Sequence, residues 1–149
     1  MNLETKYSAG LAIIYDEKIL LLRASERKHN KSYGIPKGKL EEGETNLEAA
    51  IRETREECGV NVPIDMIGTK EYTYSFVSQQ HKFKKIVTYF IVRVDDLTQI
   101  GLESTDIPSI QLQTSEVDRG SFFNYEECLN VTSKSQLSVI FNIHNKSLI

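Results

Sequence analysis

Residues 38–60 constrain the fold of this chain most strongly, and they read GKLEEGETNLEAAIRETREECGV. Thr45 followed by Glu48 matches a capping box, which satisfies free amide donors at the start of a helix. Gly59 suits the left-handed conformation that commonly ends one. The segment therefore predicts a helix of about thirteen residues that starts near Asn46.

This helix has an apolar stripe and an acidic face. The stripe recurs at helical spacing and comprises Leu47, Ala50, Ile51, Thr54 and Cys58. Glu53, Glu56 and Glu57 stand at i, i+3 and i+4, so their carboxylates lie close enough to share one cation or a pair. Alone, such a pattern usually marks a solvated face. Residues 38–60, however, hold seven Glu against three basic residues in a chain of net charge −3, and clustered oxygen ligands suit Mg²⁺ or Mn²⁺.

Eight positions of this segment, called the box below, fit the pattern G-x5-E-x7-R-E-U-x-E-E-x-G-U, in which U is usually bulky and apolar. They are Gly38, Glu44, Arg52, Glu53, Glu56, Glu57, Gly59 and Val60. Thr54 departs from the pattern at one U position, although its methyl group can still pack. The box resembles the signature of the Nudix hydrolase family. That resemblance implies metal-assisted hydrolysis of a pyrophosphate bond in a nucleoside diphosphate linked to another moiety.

Length and composition fit one globular domain. The chain has 149 residues, 40% hydrophobic and 26% charged, so residues 1–149 are predicted to form a single domain. No apolar run is long enough to span a membrane, and no signal peptide is apparent. Cys58 and Cys128 lack metal-binding spacing and are interpreted as reduced thiols. These features predict a cytoplasmic protein without membrane contact.

Strands and a second helix are predicted outside the box. The predicted strands are residues 8–15 and 18–24, which form a hairpin, 66–77 and 83–94, which form a second pair, and 110–114. A C-terminal helix is predicted from Gln136, capped near Ser133. Its predicted stripe is Leu137, Ile140, Phe141 and His144. This order predicts an α/β fold with a mixed sheet covered on two faces, in agreement with the α/β/α sandwich of the Nudix fold.

The resemblance also implies roles for individual residues. The implied metal ligands are Gly38 through its carbonyl, Glu53, Glu56, Glu57 and Glu116. Glu53 or Glu56 is the first candidate for the base that takes a proton from the attacking water. Arg52 and Glu44 complete the catalytic set as supporting residues. For Glu116, which resembles a later acidic ligand or base of some members, an ordinary loop carboxylate is the alternative.

The predicted substrate contacts are Arg23, Lys37, Lys39, Tyr74 and Phe83. Lys37 and Lys39 flank Gly38, and Pro36-Lys37-Gly38 resembles the entry of dinucleoside polyphosphate and diphosphoinositol phosphate hydrolases. Tyr74 or Phe83 is a candidate to stack on a base, although an alternating aromatic face is more often core. A cluster of Lys82, Lys84 and Lys85 offers a surface for phosphate-rich chains or RNA, with simple solubilisation as the alternative.

The sequence thus predicts a Mg²⁺-dependent pyrophosphohydrolase, with Mn²⁺ as a substitute, that acts on a nucleotide-type small molecule. A dinucleoside polyphosphate such as diadenosine tetraphosphate is the first candidate. Removal of pyrophosphate or a cap from an RNA 5′ end is the second, and ADP-ribose and diphosphoinositol phosphates stay open. The non-enzymatic alternative, a nucleotide-sensing module, conflicts with the complete set of box carboxylates.

Overall fold

The structure is a computed structural model that describes residues 4–25, 32–67, 71–78 and 83–149, with the backbone alone for 71–78. Its strands are β1 (Glu4–Tyr15), β2 (Lys18–Ala24), β3 (Tyr33–Gly34), β4 (Lys37–Lys39), β5 (Glu71–Ser78), β6 (Phe83–Val94) and β7 (Val117–Phe123). Its α-helices are α1 (Asn46–Cys58), α2 (Tyr125–Val131) and α3 (Leu137–Asn145). No helix in these ranges is long and apolar enough to cross a membrane.

A mixed sheet joins the strands of the described residues. Its main order is β3-β2-β1-β6-β5, while β4 pairs with β1 and β7 pairs with β2. β1 and β6 run parallel, and the other pairs are antiparallel. The predicted hairpin is confirmed, because β1 and β2 pair antiparallel across the turn at Asp16 and Glu17.

Helices cover both faces of this sheet, which confirms the predicted α/β/α sandwich. Successive side chains of a strand point to opposite faces. In β1, Leu11 is therefore buried in a cluster with Ala50 of α1, and Ala12 is buried in a second cluster with Ile140 of α3. β1 thus contributes to both cores, while α1 packs on one face alone.

The box helix α1 forms as its end signals predict. The Glu48 amide donates to the Thr45 hydroxyl and the Thr45 amide to the Glu48 carboxylate, each at 3.1 Å. Gly59 ends the helix with a φ of 70°. Thr54 is fully buried, and its hydroxyl donates to the carbonyl of Ala50 at 2.8 Å. The residue that departs from the family pattern therefore packs in the core with its hydroxyl satisfied.

The strand predicted at residues 110–114 is wrong. Ser109–Gln111 forms a 3₁₀ turn in which Ile110 is 93% exposed. The last strand of the sheet is instead β7, which pairs with β2 and was not predicted because its polar residues and Gly120 obscure the alternation. Gly120 is needed there, since a Cβ would crowd the side chains of Leu22 and Ile107.

The start of one further strand was also predicted incorrectly, whereas the start of the C-terminal helix is close to the prediction. Met66 lies in a 3₁₀ turn, so the strand predicted from that residue begins at Glu71. The C-terminal helix begins at Leu137, one residue after the predicted start, and it directly follows a 3₁₀ turn, Lys134–Gln136, whose N-cap is Ser133 as predicted, although the Ser133 side chain makes no capping hydrogen bond.

The predicted core stripe of the C-terminal helix is wrong in part. Val139, Ile140 and Ile143 are buried, whereas Phe141 is 53% exposed. Because apolar residues occur around most of this helix, its sequence periodicity did not identify the face that packs on the sheet.

Candidate metal and phosphate site

β4 and α1 meet where the metal ligands are predicted. Gly38 pairs with Ala9, and strand alternation turns its Cα towards α1. A Cβ on Gly38 would overlap the carboxylate of Glu53, so glycine permits this close approach. The backbone amide of Lys37 donates to the Glu57 carboxylate at 3.1 Å. Two of the three acidic side chains therefore lie against β4.

Arg52 connects the carboxylates of the box. Its Nε and Nη2 donate to the two oxygens of Glu44 at 2.7 and 3.0 Å. Its Nη1 donates to Glu53 and Glu56 at 3.0 and 3.1 Å, and Nη2 also donates to the carbonyl of Lys39 at 2.9 Å. Only 15% of the Arg52 side chain and 12% of the Glu44 side chain are exposed. Arg52 therefore holds Glu56, one turn further along the helix, and Glu44 braces Arg52 just before the start of the helix.

The protein only partly compensates the negative charges of two carboxylates in this cluster, Glu53 and Glu57. Burial, and then the charge of Glu53, raises the pKa of Glu57 to about 8. Burial also raises the pKa of Glu53, against the opposing effect of Arg52. By contrast, hydrogen bonds from Arg52 lower the pKa of Glu44. Buried carboxylates whose charged forms are disfavoured fit a site that receives a cation.

The donor set fits a hard divalent cation such as Mg²⁺ or Mn²⁺. Among the described residues, however, no three acidic, His or Cys side chains converge closely enough to enclose an ion. Arg52 accounts for this arrangement, because one oxygen of Glu53 and one of Glu56 are turned towards its Nη1. The second oxygen of each carboxylate is the donor that a cation would use.

The metal-free protein is expected to lose stability as pH rises. The pKa of Glu57 is about 8 in the folded state against an ordinary value of 4.5. Between these values the folded state binds more protons than the unfolded state, so the free energy of unfolding falls with rising pH. Urea unfolding in EDTA across this window measures the effect, and Glu57→Gln should flatten the profile. An unchanged slope in that variant would contradict the assignment.

A cavity of about 230 Å³ opens beside the box carboxylates. Lys37, Glu57 and Glu116 all line it. The charge of Glu116 is one of the causes that raise the pKa of Glu57, which places the two carboxylates close together. The structure therefore brings the predicted later acidic residue to the box, although the two are far apart in the sequence.

Gln136 also lines this cavity and was not a predicted site residue. It is 9% exposed, and its Oε1 accepts a hydrogen bond from the Ile35 amide at 2.7 Å. A Cβ on Gly34 would overlap its amide group. Gln136 thus fixes the segment that leads into the box. No local sequence signal reveals this contact, because its partners are 101 positions apart.

The remaining predicted substrate contacts are dispersed. Arg23 donates from Nε to Asp118 at 2.7 Å, and it is not among the residues that line the cavity beside Glu57. The side chain of Tyr74 lies outside the described part of the chain, although its backbone pairs with Val87. Lys39 and Phe83 line a second cavity, of about 510 Å³, at the start of β1 and β6.

Comparison with known proteins identifies one family. A family model of the NUDIX domain matches residues 5–138. The mouse bis(5′-nucleosyl)-tetraphosphatase (asymmetrical) is 36% identical over 80 residues, which are 53% of this chain and 52% of that protein. This chain therefore spans about half the length of that relative. An RNA pyrophosphohydrolase of a Sulfurovum species is 28% identical over an alignment of 126 residues that covers 76% of this chain and 71% of the relative.

Solved structures share the fold over nearly the whole chain. The MutT protein of Methanosarcina mazei has a TM-score of 0.74 at 19% identity, covering 99% of this chain and 98% of that one. A Caenorhabditis elegans Ap4A hydrolase in a binary complex has a TM-score of 0.68 at 21% identity, covering 94% of this chain and 96% of that one. At these identities the likeness concerns the fold alone.

Proposed function

Because this chain belongs to the Nudix family, we propose that it is a divalent-metal-dependent pyrophosphohydrolase with a nucleotide-type substrate. One observation carries the proposal: Glu53 and Glu57 lie against β4 beside a cavity that also contains Lys37 and Glu116. A bound divalent cation and a lysine ammonium group both neutralise the oxygens of a phosphoanhydride. This cavity has carboxylates that can bind the cation, Glu57 and Glu116, and a lysine, Lys37.

The residues of the box divide into ligands and positioning groups. Mg²⁺, or Mn²⁺ in its place, would be held by Glu53, Glu56 and Glu57, with the Gly38 carbonyl and Glu116 as further donors. When bound, it supplies charge neutralisation on phosphate oxygens and lowers the pKa of a water. Arg52 and Glu44 are positioning residues, because they fix the carboxylates through their hydrogen bonds. Glu53 and Glu56 are also the candidates to accept the proton of the attacking water.

A dinucleoside polyphosphate such as diadenosine tetraphosphate is the proposed substrate. The 36% identity to a tetraphosphatase favours it, although this chain spans only half of that protein. Lys37 adds a positive charge that can bind phosphate. It lines the cavity, and its charge lowers the pKa of Glu57 against the dominant effect of burial. A phosphate that enters this cavity would therefore meet both Glu57 and Lys37 among the lining residues.

The 5′ end of RNA is the second proposed substrate. The relative named RNA pyrophosphohydrolase matches a larger share of this chain, 76%, than the tetraphosphatase does, 53%. Both candidates contain a run of phosphates, but in one the run joins two nucleosides, whereas in the other it ends a polynucleotide chain.

A substrate panel with Mg²⁺ and with EDTA tests the proposal. The panel contains diadenosine tetra- and triphosphate, ADP-ribose, a diphosphoinositol phosphate and 5′-triphosphate RNA, with product release measured by chromatography. Metal-dependent cleavage of diadenosine tetraphosphate well above the others is expected. Preference for 5′-triphosphate RNA would replace the first substrate with the second. No cleavage of any member, with nucleotide binding retained, would favour a sensing module and reject the enzyme.

A further inference from the structure

The loop that carries Glu116 lies against the C-terminal end of the box helix. It consists of residues 109–116, with a 3₁₀ turn at Ser109–Gln111 and a second turn at 114–116, and it leads directly into β7. This segment is called the 109–116 loop below. Leu112, between the two turns, packs on the same hydrophobic core as α1. The loop is therefore anchored to the fold in its middle.

Two groups of this loop satisfy carbonyl groups at the end of α1. The last carbonyls of an α-helix have no partner within the helix. The backbone amide of Gln113 donates to the carbonyl of Glu57 at 2.9 Å. The side-chain Nε2 of Gln111 donates to the carbonyl of Gly59 at 3.4 Å, across 52 positions of the sequence. The loop thus completes the helix at the residue whose carboxylate lines the cavity.

Gly59 allows Gln111 to lie close to the end of the helix. A Cβ on Gly59 would be 3.0 Å from both the Cβ and the Nε2 of Gln111, which is a tight contact. This packing supports a hydrogen bond that is long by itself. Gly59 therefore ends the helix and also leaves room for the loop.

Residue 113 also fixes the backbone of Glu116. The carbonyl of Gln113 accepts hydrogen bonds from the amides of Glu116 and Val117 at 2.8 and 2.9 Å. The carbonyl of Glu116 in turn accepts one from the Ser25 amide at 3.0 Å. Residue 113 is therefore bonded through its amide to Glu57 and through its carbonyl to Glu116. A single residue connects the backbones of the two acidic residues.

This connection is important because Glu116 itself is exposed, so packing restrains it little. Glu116 and Glu57 line one cavity, and the charge of Glu116 is one of the causes that raise the pKa of Glu57. Two carboxylates that repel each other separate unless the backbone holds them or a cation lies between them. The hydrogen bonds of residue 113 provide the restraint from the backbone.

We propose that the 109–116 loop positions Glu116 for the metal, with the backbone amide of residue 113 and the side chain of Gln111 as the positioning groups. The inference rests on the proposed function and specifies how Glu116 is held in its site. A shift of the loop away from Glu57 would withdraw the Glu116 carboxylate from the cavity, while the carboxylates of α1 keep their places. Loss of either positioning group should therefore weaken binding of the cation and leave the helix intact.

The Mn²⁺ affinity of two variants at residue 113 tests the backbone contact. Gln113→Pro removes the amide hydrogen, whereas Gln113→Ala keeps it and changes only the side chain of an exposed residue. Leu112 already has the extended conformation that a residue before proline requires, with φ of −85° and ψ of 139°. Electron paramagnetic resonance of free Mn²⁺ should show an affinity about tenfold lower in Gln113→Pro, as expected when a group that orients a metal ligand is lost. Gln113→Ala should bind Mn²⁺ as tightly as wild type.

A double-mutant cycle with Glu116→Gln determines whether the loop acts through Glu116. Glu116→Gln should itself weaken Mn²⁺ binding, and Gln113→Pro in that background should weaken it no further. Gln111→Ala should behave in the same way with a smaller effect, about threefold, as expected for one long neutral hydrogen bond. Urea unfolding in EDTA checks that each protein compared is folded. If Gln113→Pro does not fold, the cycle of Gln111→Ala with Glu116→Gln decides.

Three results would overturn the inference and leave the proposed function standing. They are equal Mn²⁺ affinity in wild type, Gln113→Pro and Gln111→Ala, an unchanged affinity in Glu116→Gln, and an effect of the loop variants that is equally large with and without the Glu116 carboxylate. The last result would make the loop a support of α1 alone. Failure of the wild type to bind Mn²⁺ would instead reject the proposed function together with this inference.

Discussion

Glu57→Gln is expected to lower turnover by roughly two to four orders of magnitude without unfolding the protein. Glutamine keeps the size of the side chain and an oxygen that can accept the hydrogen bond of the Lys37 amide, but it removes the negative charge. Because burial and Glu53 raise the pKa of Glu57 to about 8, the protein alone disfavours that charge. Metal-free Glu57→Gln should therefore be at least as stable as the wild type at pH values above 8.

Glu48→Gln is the matched control for this variant. Glu48 lies on the same helix, and glutamine at its position preserves a capping box, so the substitution removes a charge without removing the cap. Steady-state turnover with Mg²⁺ and thermal unfolding in EDTA should be measured for both variants. Equal turnover in Glu57→Gln and wild type would remove Glu57 from the metal site.

Arg52→Ala is expected to lower both stability and turnover. The substitution removes the two hydrogen bonds that Arg52 donates to the largely buried Glu44 carboxylate, and it releases Glu53 and Glu56. Loss of a partner for a partly buried charge costs roughly 2 to 3 kcal/mol, and the freed carboxylates are then no longer held for catalysis. Urea unfolding and turnover measure the two effects.

Two further variants separate the shape of Arg52 from its charge. Arg52→Lys keeps the charge but lacks the planar fork that reaches both Glu44 oxygens, so it should recover only part of the stability and activity. Arg55→Ala removes an exposed arginine from the same helix and should change either quantity little. Full activity in Arg52→Lys would show that the positive charge alone suffices and that the paired hydrogen bonds from Arg52 to Glu44 are not required.

The local part of the site was predictable from the sequence. Helix α1 has its own start and stop signals in Thr45, Glu48 and Gly59, and its carboxylate spacing follows from helical geometry alone. Those signals act over a few residues, so they do not depend on the rest of the fold. The contact of Arg52 with Glu56 followed from the same local geometry.

The long-range part was not predictable in this way. Of the predicted cluster of Lys82, Lys84 and Lys85, Lys82 lies outside the described residues, so the cluster stays a prediction. The pairing of Lys6 with Lys85, next to Lys37 and Lys39 of β4, depends on the register of β1 with β4 and β6, which no single segment encodes. The same reason explains why β7 was missed and why the packed face of α3 was predicted incorrectly in part, since both are selected by contacts with distant residues.

Titration of Mn²⁺ by electron paramagnetic resonance, with wild type and the double variant Glu53→Gln/Glu57→Gln, tests the central claim most directly. Wild type should deplete the signal of free Mn²⁺, and added Mg²⁺ should restore it by competition. The folded double variant should leave the signal unchanged. Equal depletion by the two proteins would contradict the assignment of the cation site to the box carboxylates.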